Sequence, residues 1–281
     1  MKFRYLVRLL VFALVPALSV PSVWAQATAT EKKEKAGAHQ QKPYEPSVGQ
    51  EGKDVVWVPT PQALVDKMLD MAKVTPHDFV IDLGSGDGRT VITAAKRGAR
   101  ALGIEYNPDM VELSKRNAAK EGVTDKATFL KADLFETDLS KAQVITMFLL
   151  PGINMKLRPK LLDLKPGTRI VSNSFTMEDW EADQTETIND SCTSWCTALL
   201  WIVPAKVEGS WQMPQGELKL AQQFQKVSGS LGLQPIAEGK LRGDEIVFKI
   251  AGATYTGRVE GDTMRGMAAG TNGSNWTATR K

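Results

Sequence analysis

The chain has 281 residues, 42% of them hydrophobic and 24% charged, a balance that excludes wholesale disorder and a multi-span membrane protein. That length allows one large domain or two modest ones. The formal charge of +3 is carried by Lys2, Arg4 and Arg8, within residues 1–25, which hold no acid. The remaining body is neutral and offers no electrostatic reason to expect a nucleic-acid partner.

The three cations precede an apolar run from Leu9 to Val15 that Pro16 breaks, and Val23, Ala25 and Ala27 stand at cleavage spacing. A basic start, a short apolar centre and small residues at that spacing make up a secretory signal. The run falls short of the ~20 apolar residues of a membrane span. Residues 1–25 are therefore expected to be a signal peptide cleaved near Ala25 or Ala27, leaving a periplasmic or secreted protein without a stable membrane span. Residues 26–53 carry Glu31-Lys32-Lys33-Glu34-Lys35, paired glutamines and no apolar period, and read as a disordered, solvated tether in which His39 is inert.

From residue 60 helices and strands alternate. Thr60 and Pro61 form a favoured cap-and-first-residue pair for a helix carrying Leu64, Val65, Met68, Leu69 and Ala72 at helical spacing. Phe79–Leu83 reads as a buried strand, Arg89–Arg97 as a helix and Ala101–Glu105 as a second strand. Asn107-Pro108 opens a helix to about Lys120. Ala127–Leu130, Val144–Leu149 and Arg169–Ser172 supply further strands, with a helix over 153–164. Residues 180–188 and 197–203 form a closing pair around a turn that holds both cysteines, Cys192 and Cys196. A straight strand would hold these about 13 Å apart, too far for a disulfide, whereas a turn would let them bridge, so the spacing leaves their pairing open. A CxxxC without His or further Cys is too sparse for zinc, and no metal is expected. The alternation implies a parallel sheet covered on both faces.

After Pro204 the texture changes. Residues 207–281 hold 12 of the 23 glycines, and short alternating strands such as Ile246/Phe248/Ile250 are punctuated by Gly-Asp turns. This is a second domain, an antiparallel meander or small barrel. Trp211, Tyr255 and Trp276 read as its core plugs rather than as a ligand face.

Chemistry concentrates in Asp82-Leu83-Gly84-Ser85-Gly86-Asp87-Gly88-Arg89, where the first strand turns into a helix. Open α/β sheets bind ligands at that place. Glycines there let the backbone approach a ligand, and the helix N-terminus offers free N–H groups. A dinucleotide fingerprint would need a third glycine where Arg89 stands. The acid at the strand end instead suits a ligand with an ammonium group, which favours S-adenosyl-L-methionine over NAD. Glu105 ends the second strand, where a carboxylate can accept from both ribose hydroxyls, and Asp133 follows the third strand, placed for an adenine amino group.

With these motifs, residues 57–180 resemble the class I S-adenosylmethionine-dependent methyltransferases. Trp57-Val58-Pro59-Thr60-Pro61, the glycine segment, Asp133-Leu134-Phe135 and Leu149-Leu150-Pro151 resemble, more narrowly, the small lysine methyltransferase family. That family includes the enzymes that modify the ATP synthase c subunit and the adenine nucleotide translocase. The resemblance implies an α/β fold with a Rossmann-like seven-stranded sheet over 54–206, ahead of the small antiparallel β domain. It also implies a segment before the first helix that folds over the cofactor, and cofactor contacts from Thr60, Asp82, Gly84, Ser85, Gly86, Gly88, Glu105 and Asp133. The β domain has no counterpart in it.

The fourth strand runs into Phe148-Leu149-Leu150-Pro151, without the Asn/Asp-Pro-Pro-Tyr of adenine methylation, and no Cys or His stands near for cytosine C5 or base chemistry. His77 reads as a surface residue. Alignment with an already activated methyl group can supply several kcal/mol of the barrier. The acceptor amine, whose pKa is about 10.4 when free, is favoured as the neutral base by desolvation in an apolar channel. Trp57, Phe148 and Leu149 are candidate walls, and Asn154, Asn173 and Ser174 candidate polar orienters. The reading is an exported methyltransferase acting on a protein lysine or a small molecule. The alternative is a non-catalytic S-adenosyl-ligand-binding or envelope scaffold with a β interaction module.

Overall fold

The computed structural model describes residues 44–190, 192–270 and 274–281, which fall within one compact unit. The expected signal peptide and the tether through residue 43 lie outside the described residues.

In chain order the first layer comprises α1 (Gln62–Met71), β1 (Phe79–Leu83), α2 (Arg89–Lys96), β2 (Arg100–Glu105), α3 (Pro108–Lys120), β3 (Ala127–Lys131), β4 (Val144–Met147), α4 (Pro151–Leu162), β5 (Arg169–Asn173), β6 (Gln184–Thr187) and β7 (Thr197–Ile202). The sheet order is β3-β2-β1-β4-β5-β7-β6; β1 to β5 run parallel, and β7 is antiparallel to both its neighbours. The order reverses between β1 and β4, so a crevice opens at the carboxyl ends of the central strands. Central position explains the near-continuous apolar runs of β1 and β4, which are covered by helices on both faces. α1 buries Leu64, Val65, Met68 and Leu69 against this layer.

Several boundaries differ from the sequence expectation: β6 covers only Gln184–Thr187 of the expected 180–188, and three differences bear on the site. Pro61, not Thr60, precedes the first turn of α1: its carbonyl accepts from Leu64 and Val65, and the Thr60 hydroxyl instead accepts from Asn173 at 3.3 Å. α4 starts at Pro151 rather than 153, because proline at the first turn gives up no needed N–H, and β4 correspondingly stops at Met147.

The C-terminal layer holds β8 (Gly209–Met213), β9 (Gly216–Gln223), β10 (Lys226–Leu231), β11 (Gln234–Pro235), β12 (Ala237–Arg242), β13 (Glu245–Ile250), β14 (Ala253–Glu260), β15 (Thr263–Ala269) and β16 (Ser274–Arg280). Its antiparallel order is β11-β10-β12-β13-β14-β15-β16-β8-β9, and a further β9–β10 pairing closes it into a small barrel. Trp211, Phe248 and Trp276 are buried inside, and Tyr255 stacks on Phe248 at 5.0 Å, so these aromatics are core. The barrel meets the α/β layer at Phe224, which stacks on the buried Trp180 at 5.8 Å beneath the Arg158 guanidinium. The Gln225 amide donates to the Glu181 carbonyl, and the Ala205 N–H to that of Gly243, both at 2.8 Å.

Candidate active site

A cavity of about 240 Å³ opens at the crevice above β1 and β4. Its floor is Asp82, at the end of β1 and only 6% exposed. The Thr146 hydroxyl donates to its carboxylate at 2.6 Å, but burial dominates and raises its pKa from 3.8 to about 7, with the nearby charges of Glu105 and Asp87 adding to the rise. Such a group is suited to an incoming cation.

Over Asp82 the glycine turn runs at left-handed φ, +74° at Gly84 and +55° at Gly86. A Cβ on Gly86 would come within 2.7 Å of the Trp57 indole nitrogen, so glycine here lets the Trp57 ring lie directly against the turn. α3 fixes the turn from behind. The Ser114 hydroxyl donates to the Gly86 carbonyl at 2.8 Å and the Asn117 amide to that of Asp87 at 2.9 Å. Arg89 pairs with Asp87 and donates to the Thr60 carbonyl, tying the turn to the start of α1. The buried Ser85 hydroxyl has no hydrogen-bond partner among the described residues and points to Gly103, where an added Cβ would fall 2.5 Å from it.

Glu105 accepts from the Gly86 N–H at 3.0 Å and from Asn107 N–H at 2.9 Å, which orients its carboxylate at the cavity edge with lone pairs to spare. Asp133 accepts from Lys53 at 2.6 Å and from the Phe135 N–H at 2.8 Å, and these bonds, Lys53 first, hold its carboxyl below the ordinary range. Thr60, Asp82, Gly84, Ser85, Gly86, Glu105 and Asp133 all line the cavity. Gly88 does not. It precedes α2 at φ +83°, where a Cβ would strike Phe129 and Ser114, so it serves packing behind the turn.

Of the acceptor-side candidates, Trp57, Phe148 and Leu149 line the cavity. Asn173 corrects the expectation: fully buried, it is tied to Thr60 and to the Ser174 hydroxyl, away from the cavity lining. Asn154 likewise faces inward, donating to the Phe175 and Thr176 carbonyls. His77 is exposed in the turn before β1, and among the described residues no histidine lines the cavity.

The strap expected before the first helix starts earlier than the sequence reading set it. Residues 50–56 line the cavity rather than extending the tether to 53. The strap is folded back on itself: Gly49 N–H donates to Trp57 carbonyl at 2.8 Å, and Trp57 N–H to Gln50 carbonyl at 2.9 Å. The Lys53 ammonium also lies 4.4 Å over the Tyr106 ring. The apolar run Val55-Val56-Trp57-Val58 was the available signal. Phe175 and Trp195 were missed, since only the tertiary fold carries them to the cavity.

A deep carboxylate with no charge to neutralise it, a turn open enough for close backbone approach, and two further acids on successive strand ends fit an amino-acid-bearing nucleoside. Among the described residues no helix is long and apolar enough to cross a membrane and no cluster of metal-ligating side chains occurs.

Comparison with known proteins agrees with this geometry. The chain is 45% identical over 139 residues to the protein-lysine N-methyltransferase of Saccharolobus islandicus, an alignment spanning 48% of this chain and 86% of that one. It is 34% identical to the lysine N-methyltransferase of the ATP synthase c subunit from Xenopus laevis, over 45% of this chain and 56% of the relative. It is also 34% identical to the adenine nucleotide translocase lysine N-methyltransferase of Mus musculus, over 42% and 52%. The chain thus spans about half the length of these two vertebrate relatives. The model of the ANTKMT methyltransferase domain matches residues 82–184, which stops short of the barrel. Among solved structures, an RNA methyltransferase from Salinibacter ruber in complex with S-adenosyl-L-homocysteine shares 45% identity at a TM-score of 0.50, covering 53% of this chain and 96% of that one.

Proposed function

This chain belongs to the small lysine-methyltransferase family of class I S-adenosylmethionine-dependent enzymes, and we propose that it methylates the Nε amine of a lysine in a protein acceptor outside the cytosol. The observation that carries the methyl-transfer reading is the buried Asp82 carboxylate beneath the glycine turn, flanked by Glu105 and Asp133 in one cavity. Asp82 would take the amino group of S-adenosyl-L-methionine, Glu105 the ribose hydroxyls and Asp133 the adenine amino group. Bound there, that cofactor supplies a methyl group already activated by its sulfonium charge.

The chain's own part is then to bind, align and dry. Trp57, Phe148 and Leu149 present apolar surface toward the acceptor side of the cavity. Desolvation by such walls disfavours the ammonium form of a lysine and exposes the lone pair. Among the described residues no histidine lines the cavity, and the acceptor's proton is assigned to solvent. A lysine acceptor is supported by the relatives' lysine specificity and by the neutral charge of the body beyond residue 25, which has no excess of cations to hold RNA. Export is supported by the basic-apolar-small pattern of residues 1–25 and by the Cys192–Cys196 disulfide, which suits an oxidising compartment.

The test supplies methyl-labelled S-adenosyl-L-methionine with an envelope-protein extract and assays acid hydrolysates for Nε-methyl-lysine. Label in methyl-lysine, lost with Glu105→Ala, supports the reading. Label recovered only in RNA or small molecules, or label that persists in the variant, overturns it.

A further inference from the structure

Three aromatic side chains share the cavity with the acids and the glycine turn. Phe148 follows β4, Phe175 follows β5 and Trp195 sits in the β6–β7 turn, and all three line the cavity. Their ring centroids lie 5.8 Å apart for Phe148–Phe175, 6.0 Å for Phe148–Trp195 and 5.0 Å for Phe175–Trp195. The two phenyl planes meet at 21°, while the indole is tilted 58° and 45° to them, which makes a panel with a third wall set across it.

Two of the walls are held in place by specific contacts. The carbonyl of Phe175 accepts from the Ser172 hydroxyl at 2.8 Å and its N–H donates to the Asn173 carbonyl at 2.6 Å. Trp195 has φ +58°, a conformation that L side chains disfavour, and it lies inside the loop that the Cys192–Cys196 disulfide closes, with Cα atoms 5.8 Å apart. It nevertheless stays 44% exposed. Core packing does not account for a tryptophan kept half in water, in a disfavoured backbone state, inside a covalent loop. A ligand face does.

Resting on the methyl-transfer reading, we propose that Phe148, Phe175 and Trp195 form a box for the acceptor amine in its cationic forms, above all the partly methylated ammonium, and that the Cys192–Cys196 bridge holds its third wall. Aromatic faces attract ammonium groups, and N-methyl groups soften the hydration such a cation must shed. The box therefore holds the methylated ammonium between transfers; once S-adenosyl-L-homocysteine is exchanged for fresh cofactor and the ammonium gives its proton to solvent, the freed lone pair takes the next methyl before release. Trp195 is a specificity residue here, and the two cysteines are positioning residues that act through it.

The test needs neither the natural acceptor nor turnover. Choline and its neutral isostere 3,3-dimethylbutan-1-ol are titrated separately into the oxidised protein, with and without S-adenosyl-L-homocysteine, and binding is followed by saturation transfer to the probes' methyl protons. Choline is expected to bind about fivefold more tightly than the alcohol. Trp195→Ala should erase that preference and Trp195→Phe should keep it. Cys192→Ser combined with Cys196→Ser should weaken it, as should reduction of the unmutated protein, which guards against a variant that fails to fold. Equal binding of the two probes, or a preference that survives Trp195→Ala, overturns the box. Calorimetry of S-adenosyl-L-homocysteine on the same samples reports separately on the methyl-transfer reading: selective choline binding without nucleoside binding sinks that reading and leaves the box, and the reverse result sinks the box alone.

Discussion

Asp82 makes the protein's stability and its ligand binding respond to pH in opposite senses. With its pKa raised from 3.8 to about 7, the folded chain binds a proton there that the unfolded chain has already released. The contribution of this group to stability is complete below pH 3.8 and is lost as pH rises through about 7. Asp82→Asn, which can still accept from Thr146, should therefore raise the melting temperature at pH 8 and leave it little changed at pH 4, by an amount on the order of a few kcal/mol in stability. Melting curves of the two proteins that stay parallel across that range would refute the assignment. A docking ammonium reverses the preference: affinity for S-adenosyl-L-methionine should improve as pH rises toward 7, with buffer-dependent heats that reveal proton release. Gly88 is a second residue-scale case. Gly88→Ala places a Cβ 2.8 Å from Phe129 at a φ of +83°, and should lower stability by about 2–4 kcal/mol in chemical denaturation, although Gly88 does not line the cavity.

At the scale of elements, the strap closes the cavity through Lys53, whose ammonium bridges Asp133 and the face of Tyr106. Lys53→Ala should speed release of S-adenosyl-L-homocysteine in stopped-flow experiments while leaving the melting temperature unchanged, because an exposed ion pair adds little to folding. An unchanged release rate would mean that the strap does not gate exit. This element also marks where sequence reading stops. β1, β4 and α3 were legible because their burial imposes a local period or a Pro-led cap, and Asp82, Glu105 and Asp133 were legible because each ends a readable strand. Residues 50–53 carry no period; their order comes from backbone bonds within the strap and from a lysine that meets an aspartate 80 positions away. Asn173 misled for the converse reason: a polar side chain near a strand end looks available, yet its amide is spent on fixing Thr60 and Ser174. Trp195 was hidden because the cysteine spacing alone left the pairing open.

At the scale of the whole molecule, Phe224 joins the barrel to the α/β layer by lying between Trp180 and Arg158. Phe224→Ala should cost about 2 kcal/mol and, more tellingly, should split a single calorimetric transition into two as the layers lose their shared contact. One sharp transition in the variant would show that the remaining bonds, such as Gln225 to Glu181, suffice to couple them. The barrel's own closure has a temporal meaning. Its ring needs, besides the closing β9–β10 pairing, β16 against β8, through Thr279 with Gln212 and Arg280 with Trp211. While the ribosome still holds β16, β8 lacks one of its two neighbours and the ring stays an open sheet. The ring thus closes through strands that lie far apart in the sequence, which makes barrel closure a late, non-local step of folding.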